Sequence, residues 1–362
     1  MNIPFYIIFL PIVAALIITA IATPLSLRWI KKAGLVDDPQ KHKHPAIIHK
    51  RIVPRGGGLP LFIGTWFTIP FFLPITPQII AIFTACTLLL IVGLIDDKQN
   101  SRAKDFSPYS RFIVTVLSAI IVVASGISIQ FITNPFGEGV LALNTILIPF
   151  FFFALPLSDI FSVLWLIWIM NMINWSKGVD GQMPGIVAIS AIVIGLLSLR
   201  INGGIPLALD ATISFIIAGS AIGFLFYNFY PAKIFPGWSA TSLYLLLGVV
   251  SILSSAKLAT AILVMGVPAV DALFTIIRRL LNKRSPFQGD RKHLHHLLLS
   301  LGYGQRKIAL FYWLLSAILG ILALQLENKS KFFAIIMVVV VTVGALLFLH
   351  AVTKHKDEKK AS

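Results

Sequence analysis

Apolar runs of membrane-crossing length recur from one end of this sequence to the other. They fall at about 5–27, 58–76, 79–96, 112–130, 147–173, 184–200, 208–230, 238–253, 258–277, 307–325 and 332–352. A run of roughly 17–25 apolar residues matches the helix length that crosses a bilayer core. In hydrocarbon a spanning segment must satisfy its own backbone polar groups, and a helix does so within itself. Charged residues make up only 12% of the chain, too few to cover one soluble core. The expectation is an all-α integral membrane protein with about 10–11 transmembrane helices. Residues 1–353 would form one polytopic domain, followed by a basic tail, 354–362. The fifth run is interrupted by Pro156 and Asp159, which suggests a re-entrant piece followed by a helix.

Lysine and arginine set the orientation, because cytoplasmic loops carry the excess of both. With the N-terminus outside, 26 of the 30 fall inside, leaving Arg200, Lys257, Lys329 and Lys331 on the other face. The reading is N-terminus out and C-terminus cytoplasmic in an inner membrane, with cytoplasmic loops 28–57, 98–111, 175–183, 231–237 and 278–306. The net charge of +16 then belongs to these loops and gives no reason to invoke nucleic acid. The single cysteine, Cys86, excludes an intramolecular disulfide. Residues 5–27 run on into Arg28, Lys31 and Lys32, which makes them a first membrane helix rather than a signal peptide. The stretch 126–144, with Asn134-Pro135 and Gly137, reads as an external loop or hairpin.

Four polar clusters interrupt the apolar pattern. Asp96 and Asp97 end the third run; two adjacent carboxylates at a membrane edge are costly and mark function. Asn171 and Asn174 share a helix face ahead of Lys177 and Asp180, and such oxygens suit a hard cation such as Mg²⁺. Asp290, Arg291, Lys292, His293, His295 and His296 crowd the largest basic loop and suit phosphate groups. In the first loop, His49, Arg55 and the glycines 56–58 open the second helix, where free N–H groups are able to hold an anion. All four lie on one face under the charge-based orientation.

In this order the clusters resemble the polyprenyl-phosphate N-acetylhexosamine-1-phosphate transferases, glycosyltransferase family 4. That family includes undecaprenyl-phosphate GlcNAc-1-phosphate transferases and the phospho-MurNAc-pentapeptide transferase. The match rests on His49, Pro54-Arg55 and Gly57-Gly58, on Asp96-Asp97 with Ser107-Pro108 and Arg111-Phe112, on Asn171 and Asn174, and on His293, His295 and His296. Two positions depart: Lys177 and Trp238 stand where the family has aspartate.

The resemblance implies transfer of a sugar-1-phosphate, GlcNAc-1-phosphate by expectation, from a UDP-N-acetylhexosamine to a polyprenyl phosphate. UMP is released and cell-envelope glycan synthesis begins. It implies catalytic roles for Asp96, Asp97, Asp180, His293, His295 and His296, and substrate binding by His49, Arg55, Asn171, Asn174, Lys177 and Arg291. It implies Mg²⁺, or Mn²⁺ in its place, on Asp96, Asp97 and Asp180. Membrane lipids are the further partners, and a homodimer is allowed. The cation at Lys177 is expected to take over part of the charge neutralisation a metal would supply.

Overall fold

The computed structural model describes residues 5–38, 51–102, 104, 106–134, 137–150, 153–201, 208–253, 258–286 and 292–361. His49, Asp290 and Arg291 lie outside the described residues. The helices are α1 (Phe5–Lys32), α2 (Gly58–Phe72), α3 (Pro77–Ser101), α4 (Pro108–Ala124), α5 (Leu157–Trp175), α6 (Gln182–Ile201) and α7 (Leu209–Asn228). They continue as α8 (Thr241–Ile252), α9 (Leu258–Val264), α10 (Gly266–Leu281), α11 (Leu294–Ser300), α12 (Gln305–Gln325) and α13 (Asn328–Ala361). Three two-stranded antiparallel ladders complete the fold: β1 (Val36–Asp37) with β2 (Val53–Pro54), β3 (Phe131–Thr133) with β4 (Val140–Ala142), and β5 (Leu147–Phe150) with β6 (Phe153–Pro156).

Seven helices are long and apolar enough to cross a membrane alone, eight if α9 and α10 count as one bent span, and α2, α4 and α8 are shorter apolar helices. The eleven expected runs are thus all helical over most of their length, but three fall short of full spanning length. Their connections still alternate between two ends of the bundle. The C-termini of α3, α5 and α7 meet the N-termini of α4, α6 and α8 at one end. At the other, a cavity of about 520 Å³ is lined by Leu73, Thr76, Gly126, Leu209 and Leu253.

The fifth run departs from expectation. Residues 147–150 and 153–156 pair as the antiparallel strands β5 and β6 in place of a re-entrant piece, and α5 starts directly after Pro156. Pro156 fits that boundary because a residue without an N–H cannot continue a helix from before it. The ninth run also breaks, with α9 and α10 meeting at 80°. Pro268 has no N–H to give the Val264 carbonyl, which marks the break chemically. The β3–β4 hairpin falls in the stretch read as an external loop or hairpin.

The interior is built on α6 and α7, with α1 laid along α7 and α2. Close approach there depends on Gly219 and Gly223. A Cβ on either would sit 2.1 Å from the Ile12 carbonyl oxygen or 2.5 Å from that of Leu16. Small residues four apart let helix backbones meet in this way in lipid. By contrast, α13 presents Phe333, Met337, Val340, Val341, Leu347 and Phe348 outward, the surface expected to face acyl chains.

Candidate active site

The end of the bundle where α3, α5, α7 and α10 finish gathers the polar residues. Asp96 and Asp97, both fully buried, close α3 and each holds an arginine. Arg111, in the first turn of α4, donates from Nε to Asp96 Oδ1 at 2.8 Å. Arg55 donates from Nε to Asp97 Oδ1 at 3.0 Å and from Nη1 to Asp37 Oδ2 at 2.9 Å. Burial opposes the charge on Arg55, but Asp97, Asp37 and Asp96 more than offset it and raise its pKa. Such charge-assisted bonds fix orientation as well as charge.

Asp97 is also a backbone anchor. Its Oδ1 accepts the Trp238 N–H at 2.8 Å and its Oδ2 the Ser239 N–H at 3.2 Å. Gly237 makes that approach feasible: its φ is +71°, and a Cβ there would lie 2.2 Å from Asp97 Oδ2. The Pro54-Arg55-Gly56-Gly57-Gly58 segment is laced to the same loop. Phe235 donates to Pro54 O at 2.8 Å, Gly57 N–H to Phe235 O at 3.0 Å, and Gly58 N–H to Pro236 O at 3.1 Å. The N–H groups of Gly57 and Gly58, expected to cradle an anion, are therefore spent within the protein. What this loop brings to the site is the Arg55 side chain.

Lys177 follows the end of α5 and turns inward. Its Nζ donates to Asn174 Oδ1 at 2.6 Å and to Gly237 O at 2.7 Å. Burial, then the nearby Arg55, lowers its pKa to about 7, against the attraction of Asp97 and Asp96. Asn171 instead bonds its own helix at Ile167 O. Asp180, also buried, takes the Ala232 N–H on Oδ2 at 2.9 Å, while its own N–H goes to Gln305 Oε1 at 3.1 Å. Next to it, Gly181 N–H reaches Asn228 Oδ1 at 3.1 Å. These bonds tie the α5–α6 loop to the α7–α8 loop and to α12.

The histidines complete the floor. His293 Nδ1 lies 3.0 Å from Asp271 Oδ2, and Asp271 Oδ1 accepts the Leu294 N–H at 3.0 Å, so one α10 carboxylate positions the start of α11. The His293 and His295 rings stack with centroids 5.6 Å apart, and those of His295 and His296 are 4.2 Å apart. Burial first, then His296 and His293, hold the His295 pKa well below its usual value, so this ring is neutral near pH 7. Gly178 sits against it: a Cβ there would come 1.8 Å from His295 Nε2. Trp175 stands 6.2 Å from the His293 ring, centroid to centroid. The α5–α6 segment thus meets the histidines directly, and it meets the Asp96-Asp97 cluster through the loop 237–239. The first-loop cluster joins through Arg55.

Asp271, Asp37 and Gln305 were not among the sequence candidates. A lone carboxylate within the apolar run 258–277 was the available signal for Asp271. For Asp37 and Gln305 the sequence offers none.

A family model described as glycosyl transferase family 4 matches residues 79–255. A protein of Bacillus subtilis (strain 168), named probable undecaprenyl-phosphate N-acetylglucosaminyl 1-phosphate transferase, is 31% identical over 339 residues, covering 91% of this chain and 88% of the relative. The chain belongs to glycosyl transferase family 4. Two further relatives of this family 4 protein are each 29% identical. One is the decaprenyl-phosphate N-acetylglucosaminephosphotransferase of Mycolicibacterium smegmatis, covering 91% of this chain and 87% of its own. The other is the undecaprenyl-phosphate alpha-N-acetylglucosaminyl 1-phosphate transferase of Thermotoga maritima, covering 93% and 95%.

Most of the carboxylate oxygens that the family resemblance implies for a metal already accept hydrogen bonds in this family 4 protein. Asp97 Oδ1 already accepts two hydrogen bonds and Oδ2 one, against about two lone pairs per oxygen. Asp96 Oδ1 is held by Arg111, its buried Oδ2 has no hydrogen-bond partner, and position 238 carries an indole, which is no ligand for a hard cation. Among the described residues no three His, Cys, Asp or Glu side chains come together as a metal-binding group.

Proposed function

We propose that this protein transfers a sugar-1-phosphate, GlcNAc-1-phosphate in the first instance, from a UDP-sugar to a polyprenyl phosphate. The observation that carries the reading is the convergence of Arg55, Arg111, Lys177 and the histidine run at one end of an apolar bundle. A groove of about 330 Å³ lies among α5, α9, α10 and α13, lined by Trp165, Trp168, Ile262, Leu263, Val270 and Leu273. It is almost wholly apolar and runs beside α10, the helix that carries Asp271. An acceptor with an isoprenoid chain and a phosphate head suits such a pairing of groove and cation cluster. The names of the relatives support the same acceptor class.

In this scheme an acceptor phosphate oxygen attacks the β-phosphorus of the UDP-sugar. A new P–O bond forms, the bond from the β-phosphorus to the bridging oxygen breaks, and UMP leaves with that oxygen and its electron pair. Both partners are anionic, so catalysis is mainly positioning and charge neutralisation. Asp96 and Asp97 hold Arg111 and Arg55 in fixed directions, Lys177 adds a third cation, and neutral His295 offers a hydrogen bond without a net charge. The lysine and arginine distribution supports a cytoplasmic position for this face, where nucleotide-sugars are made, and the product would begin a cell-envelope glycan.

The test is incubation of purified protein with UDP-GlcNAc and undecaprenyl phosphate, followed by detection of UMP and of the lipid-linked sugar. Release of UMP that depends on the lipid supports the reading. Binding of UDP-GlcNAc without turnover would favour a family member that only binds, a reading to which Trp238 and Lys177 lend weight.

A further inference from the structure

We propose that Lys177 is a built-in cation of the transfer site, standing where the family resemblance calls for a divalent ion, so that the chain neutralises the donor diphosphate without a metal. The inference rests on the function proposed above. Its basis is the set of atoms around Nζ. An amide oxygen from Asn174 at 2.6 Å and a backbone carbonyl from Gly237 at 2.7 Å are the kind of hard oxygens that coordinate Mg²⁺. Here both accept N–H bonds from the lysine. The carboxylates of Asp96 and Asp97 add their attraction to the same amine, so the amine has the oxygen neighbours of a cation.

The loop opposite is held by hydrogen bonds. Asp97 grips the Trp238 and Ser239 N–H groups, and the Thr241 hydroxyl donates to the Trp238 carbonyl at 2.6 Å. Gly237, squeezed over Asp97, aims its carbonyl at Lys177. The buried Trp238 side chain takes the position of a carboxylate. The two departures from the family pattern are thus one change: a ligand is lost at 238 and a cation is gained at 177, joined through Gly237. A lysine that merely anchored the helix in lipid headgroups would extend its amine outward to water. This one is turned inward onto two fixed acceptors.

The experiment uses the full-length protein in lipid nanodiscs, with Lys177→Met and Lys177→Arg beside the wild type. Wild-type transfer is expected to persist in EDTA within about twofold of its rate in Mg²⁺, and Lys177→Met to lose about a hundredfold, the scale of one lost electrostatic contact in a transition state. Lys177→Arg should recover part of that loss. Electron paramagnetic resonance with Mn²⁺ alone should show no stoichiometric binding to the wild type. Loss of transfer in EDTA, tight Mn²⁺ binding by the wild type, or EDTA-resistant turnover in Lys177→Met would each overturn the inference. If the wild type transfers nothing under any condition, the functional reading fails, and UDP-GlcNAc binding in EDTA decides the role of Lys177. An affinity at least tenfold weaker in Lys177→Met sustains the cation, and an equal affinity removes it.

Discussion

Donor binding should depend on pH through Lys177, and the sign follows from its surroundings. In the free protein its pKa is lowered to about 7, first by burial and next by Arg55. A bound diphosphate favours the ammonium. A unit charge about 4 Å away at an effective dielectric near 20 contributes roughly 4 kcal/mol, or about three pKa units. The bound-state pKa then lies near 10, by the same arithmetic. Because binding raises the pKa, the extra affinity is fully present below pH ~7 and is lost as pH rises toward ~10. Between pH 6 and 8.5 the affinity for UDP-GlcNAc should fall by about thirtyfold, which follows from those two pKa values. The diphosphate of a UDP-sugar has no terminal phosphate to titrate in that range, so isothermal titration calorimetry across those pH values isolates the protein. Lys177→Met should bind more weakly at pH 6 and show a flat profile. An identical fall in Lys177→Met, or an affinity that rises with pH, would refute the assignment.

Four other outcomes follow from the geometry. Gly178→Ala, whose Cβ would meet His295, should push the histidine run from the α5–α6 loop and lower turnover at least tenfold, measured as UMP release. Asp271→Ala leaves His293 and the Leu294 N–H without their acceptor and should cost about 1–3 kcal/mol, the scale for leaving a buried polar group without its partner, seen as a lower melting temperature in detergent. Reporters fused after Lys104 and near Gly137 should read opposite sides of the membrane, cytoplasmic and external in that order. Lys177→Asp combined with Trp238→Asp should give measurable Mn²⁺ binding and a transfer rate that requires Mg²⁺.

Hydropathy revealed most of the fold because a spanning helix announces itself by length. It missed the α9–α10 break, where the apolar run 258–277 carries no charge apart from Asp271 and only Gly266 and Pro268 hint at a bend. It also merged the β5–β6 hairpin with α5, since both are rich in Leu, Ile and Phe and periodicity does not separate a short strand from a buried helix. In the site, the carboxylate pair and the histidines stood out as polar residues in apolar or basic surroundings. Their partners did not. Asp37 sits beside Asp38 in a loop otherwise rich in cations, and Gln305 is an ordinary helix-opening residue. What makes each of them matter is a contact across more than a hundred residues or, for Asp37, a shared arginine. Gly57 and Gly58 show the converse: the motif was visible, yet their N–H groups proved to be committed to the loop at 235–236.

The same distribution has a consequence for biogenesis. Contacts of the site run from Asp37 through Asp97, Asp180 and Asp271 to Gln305, each delivered by a different passage of the chain. A nascent chain that has inserted α1 to α8 already contains Arg55, Asp96, Asp97, Lys177 and Trp238, but not the α11 histidines or Gln305. The proposed transfer site is therefore complete only once α11 and α12 have been made, and a ribosome-bound fragment stopping before α11 should lack transfer activity.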